Sequence, residues 1–298
     1  MSKFYKLIAV GTLTTLLVAC GADEEAADET QTDENGDAAE EGEDTEAAED
    51  EEPSELVVGA TNVPHAEILE FAEDLLAEEG IELEIETFND YALPNQALDN
   101  EDLDANFFQH RPFLADQLEE FEEYDIVEAG GVHIEPIGVY SQEYGSLEEL
   151  PEGATILMSD SVADHGRVLT MFEEAGLIEL GDVDGVEATM DDIEENPNDY
   201  EFEPQYEAAL LPQAYENNEG DAVLINSNYA IDYDLSPLED SIASESADAD
   251  NPYVNVIAVN SEDEEDEDIA TLMDVLQSDE VQEFIEEEYA GAVVPVEE

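Results

Sequence analysis

Short apolar runs alternate with amphipathic helical stretches from residue 55 onward, and this alternation restricts the fold more than any other feature. Glu55–Val58 is an apolar run that closes at Gly59, which favours a buried parallel strand. A helix is predicted from Pro64, because proline suits a first turn and apolar residues follow at helical spacing. Residues 81–85 alternate apolar and acidic side chains, as a half-buried strand does. Strand, helix and strand at these intervals predict βαβ units and a mostly parallel sheet.

The alternation continues over the rest of the chain. The further predicted elements are a strand at Leu103–Phe108, a helix at Pro112–Tyr124, a strand at Ala154–Met158, a helix near 162–175, a strand near 200–203, a helix near 206–217, a strand at Ala222–Ile225 and a last helix at Ser278–Tyr289. Ser278 is a favourable N-cap for that last helix, with acidic residues in its first turn.

Two extended segments divide the pattern into two sets. Val132–Ser141 contains Pro136, which favours an edge strand or a crossover between units over a central strand. Tyr253–Val259 is a second extended segment, which would lead the chain back to the first unit. The sequence therefore predicts two α/β units joined by two crossings. We expect a bilobed molecule that closes by a hinge around a ligand cleft.

The N-terminal residues are typical of an exported chain. Lys3 and Lys6 form a positive region, and Leu7–Val18 is an apolar run too short to span a bilayer comfortably. The run ends in Leu-Val-Ala before Cys20, an order that resembles the lipobox of bacterial lipoproteins. We predict a signal peptide at 1–19 and lipidation at Cys20; the alternative is a chance cysteine after an ordinary signal. A structural disulfide is excluded, because the chain has one cysteine.

Residues 21–53 contain 17 Asp or Glu and no Lys, Arg or aromatic residue. Such a segment cannot bury enough apolar surface to offset its ordering entropy, so residues 20–53 are predicted to be a lipidated, disordered acidic tether. The body that follows is long enough for two modest domains. Its predicted parts are the first part of lobe 1 at 54–140, lobe 2 at 141–250 and the return to lobe 1 at 251–298.

The formal net charge of −82 argues against nucleic acid or anionic lipid as a partner. At low ionic strength this charge opposes the compact state, whereas in molar salt the Debye length falls to about 3 Å. We therefore predict a halophilic source. A calcium-buffering surface is the alternative, but no Asp-rich loop has the necessary ligand spacing.

Arg111 and Arg167 are the only basic residues after Lys6. Arg167 lies early in the helix after the Ala154–Met158 strand, at a carboxyl edge where ligands bind in α/β sheets. Its guanidinium could bind a carboxylate through two charge-assisted hydrogen bonds, or could form a structural ion pair. Arg111 precedes a proline and is predicted to be structural.

Three further stretches carry candidate binding side chains. Strand alternation places Asn106, Phe108 and His110 on one face, which offers an aromatic wall beside an imidazole, although Phe108 alone would suit a core. Tyr91 lies in a loop and could close a pocket or merely cover the surface. Asn226 and Asn228 follow a strand; Asn both donates and accepts, although turn chemistry also explains them.

Enzyme signatures are absent: the chain has no G-x-S-x-G elbow, H-E-x-x-H motif or P-loop. We predict a binding protein rather than an enzyme, with no cofactor. His65, His110, His133 and His165 could in principle contribute to a zinc site, but their spacing supports no particular ligand set.

Several motifs together resemble the MetQ/NlpA lipoproteins, the methionine-binding components of ABC importers. They are Gly59–Leu69 (GATNVPHAEIL), Asp104–His110 (DANFFQH), Val132–Gly138 (VHIEPIG) and Ala222–Ala230 (AVLINSNYA). The resemblance runs from about Leu56 to Pro295, with the motifs in the expected order.

The resemblance implies a type II periplasmic-binding-protein fold that closes on L-methionine and delivers it to a membrane permease driven by a separate ATPase. It implies that Arg167 binds the α-carboxylate and that Asn226 or Asn228 helps to bind the amino-acid backbone. Tyr91, Phe108 and His110 would line the side-chain pocket, where a thioether gains contact with aromatic rings. His133 and Glu135 would support the cleft without touching the ligand.

One stretch departs from the family pattern. Family members usually have an Asn-Asp-Pro-Thr-Asn-like stretch before the arginine, whereas this chain has Ser159–Arg167 (SDSVADHGR), with Asp164 in place of an asparagine. That carboxylate could pair with a ligand ammonium or with Arg167. D-methionine, a methionine-containing dipeptide or another small apolar amino acid therefore stay open as ligands. A non-transport surface or adhesion lipoprotein and a zinc-capturing lipoprotein are alternatives of other classes.

Overall fold

A computed structural model describes residues 53–247 and 251–296. The predicted signal peptide at 1–19, Cys20 and the tether up to residue 52 lie outside the described residues. Within the described part of the chain, no helix combines the length and the apolar character that a membrane crossing needs.

The described residues form a mixed α/β fold. Its strands are β1 (Ser54–Thr61), β2 (Ile81–Phe88), β3 (Ala105–His110), β4 (Ile126–Ile134), β5 (Gly138–Tyr140), β6 (Thr155–Ser159), β7 (Glu179–Leu180), β8 (Ile193–Glu195), β9 (Glu201–Tyr206), β10 (Ala222–Ile225), β11 (Ala243–Ser244), β12 (Val254–Asn260) and β13 (Val294–Pro295). Its α-helices are α1 (Glu67–Glu78), α2 (Pro94–Asp99), α3 (Arg111–Glu120), α4 (Val162–Glu174), α5 (Leu211–Glu216), α6 (Ser227–Asp232), α7 (Glu267–Leu276) and α8 (Asp279–Tyr289).

The first sheet has the strand order β13-β4-β12-β3-β1-β2. β3, β1 and β2 are parallel, as the βαβ pattern predicts. β12 is inserted between β3 and β4 and is antiparallel to both, so this sheet is mixed and the expectation of a mostly parallel one is wrong here. The difference arises because β12 returns from the far end of the chain, a pairing that local sequence does not encode.

The second sheet has the strand order β11-β5-β10-β6-β9. β10, β6 and β9 are parallel; at one side β5 is antiparallel to β10, and β11 is antiparallel to β5. A separate hairpin pairs β7 with β8. The predicted strand near 200–203 extends to Tyr206, and the helix expected at 206–217 begins only at Leu211, because Pro212 in its first turn fixes the start.

The chain crosses between the sheets twice. The first crossing is residues 135–137, between β4 in the first sheet and β5 in the second, so Pro136 separates two strands of what the sequence presents as one extended segment. The second crossing leads from β11 back to β12 through residues 245–253, of which 248–250 lie outside the described residues. The prediction of a crossover at Pro136 is therefore confirmed.

Each sheet has helices on both faces. Alternate residues of β1 and β3, such as Val58 and Phe107, pack with α1, α7 and α8 on one face of the first sheet. Leu98 and Leu114, from α2 and α3, cover the other face. In the second sheet α4 packs on one face and α5 and α6 on the other. Each face of a sheet is thus covered by its own apolar core. The carboxyl ends of the parallel strands lie at the sheet edge, outside these cores, and are available for polar residues.

Helix ends follow local signals. The Ser278 hydroxyl accepts from the backbone N–H of Val281 at 3.4 Å, which confirms the predicted N-cap of α8. The imidazole of His110 caps α3 in the same way, with Nδ1 accepting from the Phe113 N–H at 3.1 Å. α3 ends at Glu120 rather than at the predicted Tyr124. His110 therefore fixes the junction between β3 and α3.

Candidate ligand-binding site

A cavity lies where the loops after several parallel strands meet the first crossing, and its empty space, open solvent included, is about 400 Å³. It is lined by His65, Tyr91, Phe108, Gln109, His110, Phe113, Glu135, Asp164, Arg167, Asn226, Asn228 and Asn255. The lining comes from the carboxyl ends of β3, β6 and β10, where ligands bind in open α/β sheets.

Arg167 is 4% exposed and is surrounded by acceptors. Its Nε lies 3.2 Å from Oε2 of Glu245, its Nη2 donates to the same carboxylate, and Nη2 also donates to the backbone oxygen of Glu135 at 2.8 Å. The ring centroid of Tyr253 is 4.3 Å from the guanidinium carbon. The Glu245 carboxylate helps to raise the pKa of Arg167 although burial opposes the charge, so a fixed cation borders the cavity.

Asp164 is a buried carboxylate at the same end of the cavity. It accepts from the Ser159 hydroxyl at 2.7 Å and from the Asn226 amide at 3.1 Å. Burial alone would raise its pKa, but the His110 imidazole and the Arg167 guanidinium outweigh burial and lower the pKa of Asp164 to about 2. The carboxylate is therefore ionised at neutral pH.

Aromatic side chains form another part of the lining. The ring centroids of Tyr91 and Phe108 are 6.1 Å apart, and each lies 5.8 Å from that of Phe113. The Tyr91 hydroxyl donates to Oδ1 of Asn228 at 2.6 Å, which joins a first-sheet loop to the start of α6. The cavity thus combines a charged, amide-rich group with an aromatic group suited to an apolar or thioether side chain.

The end of β3 differs from the predicted alternation. The pairing of β3 with β12 shifts between Gln109 and Phe107, so Phe108 is an extra, bulged residue. A bulge turns the following side chains to the other face, and Gln109 accordingly donates to Asn106 at 2.9 Å. The expectation that Asn106 shares a face with Phe108 is wrong. Asn106 is fully buried, bonded to Asn95 and Gln109, and is not part of the cavity lining.

In the wall of the cavity, Glu135 is held by His65 and His133. His65 Nε2 and His133 Nε2 lie 3.2 and 2.9 Å from Oε1 of Glu135, and the backbone N–H of Asn228 also donates to this carboxyl. Burial lowers the pKa of His65 to about 4 and that of His133 to about 3, and burial raises the pKa of Glu135. Both imidazoles are therefore neutral donors. Imidazole nitrogens and a carboxylate oxygen are also metal ligands. One such atom from each of His65, His133 and Glu135 lies within 4.8 Å of the other two, so the three residues could hold a metal ion.

The structure brings most of the predicted site residues together. Tyr91, Phe108, His110, Asp164, Arg167, Asn226 and Asn228 all line the one cavity. Glu135, expected to act from behind, is itself in the lining, whereas His133 is not. Arg111 forms a two-pronged ion pair with Glu128, with Nε–Oε1 2.9 Å and Nη2–Oε1 2.7 Å.

Sequence reasoning missed four lining residues, namely His65, Gln109, Phe113 and Asn255. Asn255 is buried and lies between two valines near the start of β12, and an amide within such an apolar run is a signal that could have identified it. Gln109 faces the cavity because of the bulge, for which the sequence offers no local sign.

Comparison with known proteins places this architecture in a family. A profile of the NlpA lipoprotein family matches residues 56–297. The methionine-binding lipoprotein MetQ of Bacillus subtilis is 49% identical over 245 residues, 82% of this chain and 89% of the relative. The D-methionine-binding lipoprotein MetQ of Escherichia coli is 32% identical over 98% of both chains. A nutrient-binding protein from Burkholderia cenocepacia, solved bound to methionine, is 38% identical with a TM-score of 0.76, covering 81% of this chain and all of that one.

Proposed function

Because the chain belongs to the NlpA lipoprotein family, we propose that it captures L-methionine in this cavity and delivers it to an ABC importer. The importer would consist of a membrane permease and a separate ATPase. The protein would act as an extracytoplasmic solute-binding lipoprotein. The relatives bear the names of binding proteins and not of enzymes.

The observation that supports this function is the composition of the cavity. One guanidinium, two carboxyl groups, of which that of Asp164 is ionised, and four side-chain amides lie beside three aromatic rings. Arg167 would bind the α-carboxylate through Nη1, because its Nε and Nη2 are engaged by Glu245 and Glu135. The methionine thioether would lie against Tyr91 and Phe108, a contact worth about 0.3–1.5 kcal/mol per sulfur–aromatic pair.

We propose that each sheet with its helices forms one lobe. The predicted division at 54–140, 141–250 and 251–298 is kept except that β5 (Gly138–Tyr140) belongs to the second lobe, because it pairs with β10. The crossings at 135–137 and 245–253 would be the hinge. Cavity residues come from both sheets, since Phe108 ends β3 and Asn226 follows β10, and such a cavity can open and close by rotation of the lobes.

We propose further that Cys20 carries the lipid and that residues 20–53 form a tether to the outer face of the cell membrane. Two relatives are named as membrane lipoproteins, which supports attachment to a membrane. Growth of expressing cells with tritiated palmitate should label the wild-type protein. The Cys20→Ser variant should carry no label, and a labelled variant would disprove the assignment.

Isothermal titration calorimetry in molar salt tests the ligand. L-methionine should bind to the correctly folded protein, and D-methionine, glycyl-methionine and Zn²⁺ form the comparison series. Absence of methionine binding would disprove the proposal, and binding of Zn²⁺ alone would support the zinc-capturing alternative, which the named relatives do not favour. Methionine uptake by cells that contain the permease should stop when the gene for this protein is deleted.

A further inference from the structure

The short helix α6 belongs to the second lobe but also contacts the first. Its residues Tyr229 and Ala230 are buried in the apolar cluster of the second sheet. Ile231 is half-buried and packs instead against the apolar cluster that α1, α7 and α8 form with the first sheet. The helix also packs along residues 62–66, which connect β1 to α1 in the first lobe. Helix α6 thus joins the apolar clusters of the two lobes.

Tyr91 makes the reciprocal contact. It lies between β2 and α2 in the first lobe, yet its side chain packs against the apolar cluster of the second sheet. Its ring centroid is 5.1 Å from that of Tyr229, and the Tyr229 hydroxyl donates to the backbone oxygen of Asn89 at 3.4 Å. Each lobe therefore places one large side chain against the apolar cluster of the other lobe.

The contact of Ile231 lies outside the ligand cavity. Tyr91 lines the cavity, whereas Ile231 is not among its lining residues. Ser227 and Ile231 are four residues apart, so they share one face of α6. The Ser227 hydroxyl donates to the backbone oxygen of Pro136 in the first crossing. This face of α6 is therefore held by contacts that a ligand in the cavity does not touch.

Opening of the cavity by rotation of the lobes would break the contact of Ile231. The separation would expose apolar surface of Ile231 and of the first-sheet cluster to water, which is unfavourable in proportion to the exposed area. The apparent affinity for a ligand that binds the closed form is the affinity of that form multiplied by its population in the unliganded protein. A contact that raises this population therefore strengthens binding without touching the ligand.

We propose that Ile231 determines how tightly the ligand is held, because its packing against the first lobe stabilises the closed arrangement of the two lobes. This inference rests on the proposed solute-binding function, and it applies to whichever solute the cavity takes. Ile231 acts through the arrangement of the lobes, so it is a positioning residue and not a ligand contact. Loss of its side chain raises the Kd mainly through faster dissociation, because the closed complex opens more readily.

Ile231→Ala tests the contact, and Ile85→Ala is the matched control. Ile85 is also half-buried and packs against the same apolar cluster, but from β2 within the first lobe. Calorimetry in molar potassium chloride should show about 10-fold weaker binding of L-methionine by Ile231→Ala, and stopped-flow tyrosine fluorescence should place most of the change in the dissociation rate. Ile85→Ala should unfold more easily but keep the wild-type affinity. Equal affinity of Ile231→Ala and the wild type overturns the proposal.

The heat-capacity change of binding supplies a second readout. Burial of apolar surface on closure makes this change negative. Calorimetry at several temperatures should therefore give a less negative value for Ile231→Ala than for the wild type, whereas Ile85→Ala should match the wild type. Ile231→Val shortens the side chain by one carbon and serves if the alanine variant does not fold; its affinity and heat-capacity change should both lie between those of alanine and isoleucine. A wild-type heat-capacity change in the Ile231 variants overturns the proposal.

The two proposals fail in different ways when D-methionine, glycyl-methionine and L-leucine are titrated beside L-methionine. If the wild type binds one of these three but not L-methionine, the methionine function is wrong, and the affinity ratio of Ile231→Ala to the wild type for that ligand decides the role of Ile231. If L-methionine binds equally to both proteins, the function stands and the role of Ile231 is wrong. If none of the four binds to the wild type, both proposals are wrong.

Discussion

Arg167 and Glu245 form a buried ion pair that connects α4 to the second crossing. The guanidinium approaches the carboxylate through Nε and Nη2, and the two side chains are 3% and 14% exposed. The same guanidinium donates to the backbone of Glu135 in the first crossing. One side chain therefore contacts both segments that join the sheets, beside the cavity.

Replacement of Arg167 by alanine should weaken methionine binding by about 100-fold or more, because a ligand carboxylate would lose its cation in a desolvated cavity. Calorimetry in molar salt measures this, and circular dichroism confirms that the variant is folded. Arg111→Ala is the matched control, since Arg111 pairs with Glu128 outside the cavity lining. Equal affinity of the Arg167 variant and the wild type would contradict the assigned carboxylate site.

His65 and His133, the two buried histidines beside Glu135, should make the protein less stable in mild acid. Burial lowers the pKa of His65 to about 4 and that of His133 to about 3, whereas the unfolded chain takes up these protons near pH 6.5. Stability is thus full above pH 6.5 and falls as the pH drops toward 4, by up to about 1.4 kcal/mol per pH unit for each histidine.

Urea unfolding in molar salt at several pH values measures this slope. His133→Gln keeps a donor toward Glu135 but cannot take up a proton, so its slope between about pH 6.5 and pH 4 should be shallower by about one proton. The carboxyl groups common to both proteins contribute equally to the two curves. Parallel curves for the variant and the wild type would show that His133 does not titrate as its burial implies.

Gly166→Ala should destabilise the protein by about 1–3 kcal/mol or more, because the added methyl group overlaps backbone atoms. A Cβ at this position would lie 2.1 Å from the Gly185 oxygen and 2.8 Å from the Val186 oxygen. Alanine normally stabilises a helix interior relative to glycine, so a loss of stability in this variant would be due to the steric overlap and not to helix propensity. Thermal unfolding checks this against Gly145→Ala, whose Cβ meets a flexible Glu149 carboxylate at 3.3 Å. A stabilised Gly166 variant would contradict the observed packing.

Salt should raise the unfolding temperature. The chain has 86 acidic and 4 basic residues, and both arginines after Lys6 already have carboxylate partners. The remaining repulsion is screened when the Debye length falls from about 10 Å at 0.1 M salt to about 3 Å at 1 M. We expect the midpoint to rise by about 5 °C or more in potassium chloride and to stay lower in a neutral osmolyte of equal osmolarity. Equal midpoints would remove the basis for a halophilic source.

The elements that sequence predicted best are those whose signals are local. The apolar run of β1, the alternation in β2, the proline at the start of α3 and the cap at Ser278 each act within a few residues, and each lies close to its predicted place. Arg167 and the two asparagines at the start of α6 were predicted for the site because the carboxyl ends of strands form one edge. Tyr91 was predicted as a loop residue that could close a pocket, and the family resemblance placed it there.

The features that sequence did not predict depend on partners far along the chain. Asn255 reaches the cavity because β12 pairs with β3 and places it opposite His110. The bulge at Phe108 arises in the same pairing and determines which side chains face the cavity. Likewise, the pairing of Arg167 with Glu245 spans 78 residues, and nothing near either residue in the sequence indicates it.

The burial of Arg167 has a practical consequence for proteolysis. Proteases that cleave after basic residues find two candidate bonds beyond Lys6, and the bond after Arg111 is protected because a proline follows it. The remaining bond, between Arg167 and Val168, lies inside α4 with both residues buried. Cleavage there requires that α4 unfolds locally. Where α4 refolds faster than the protease cleaves, the cleavage rate reports the population of the locally unfolded state. A single peptide bond thus serves as a built-in reporter of opening, with no label added.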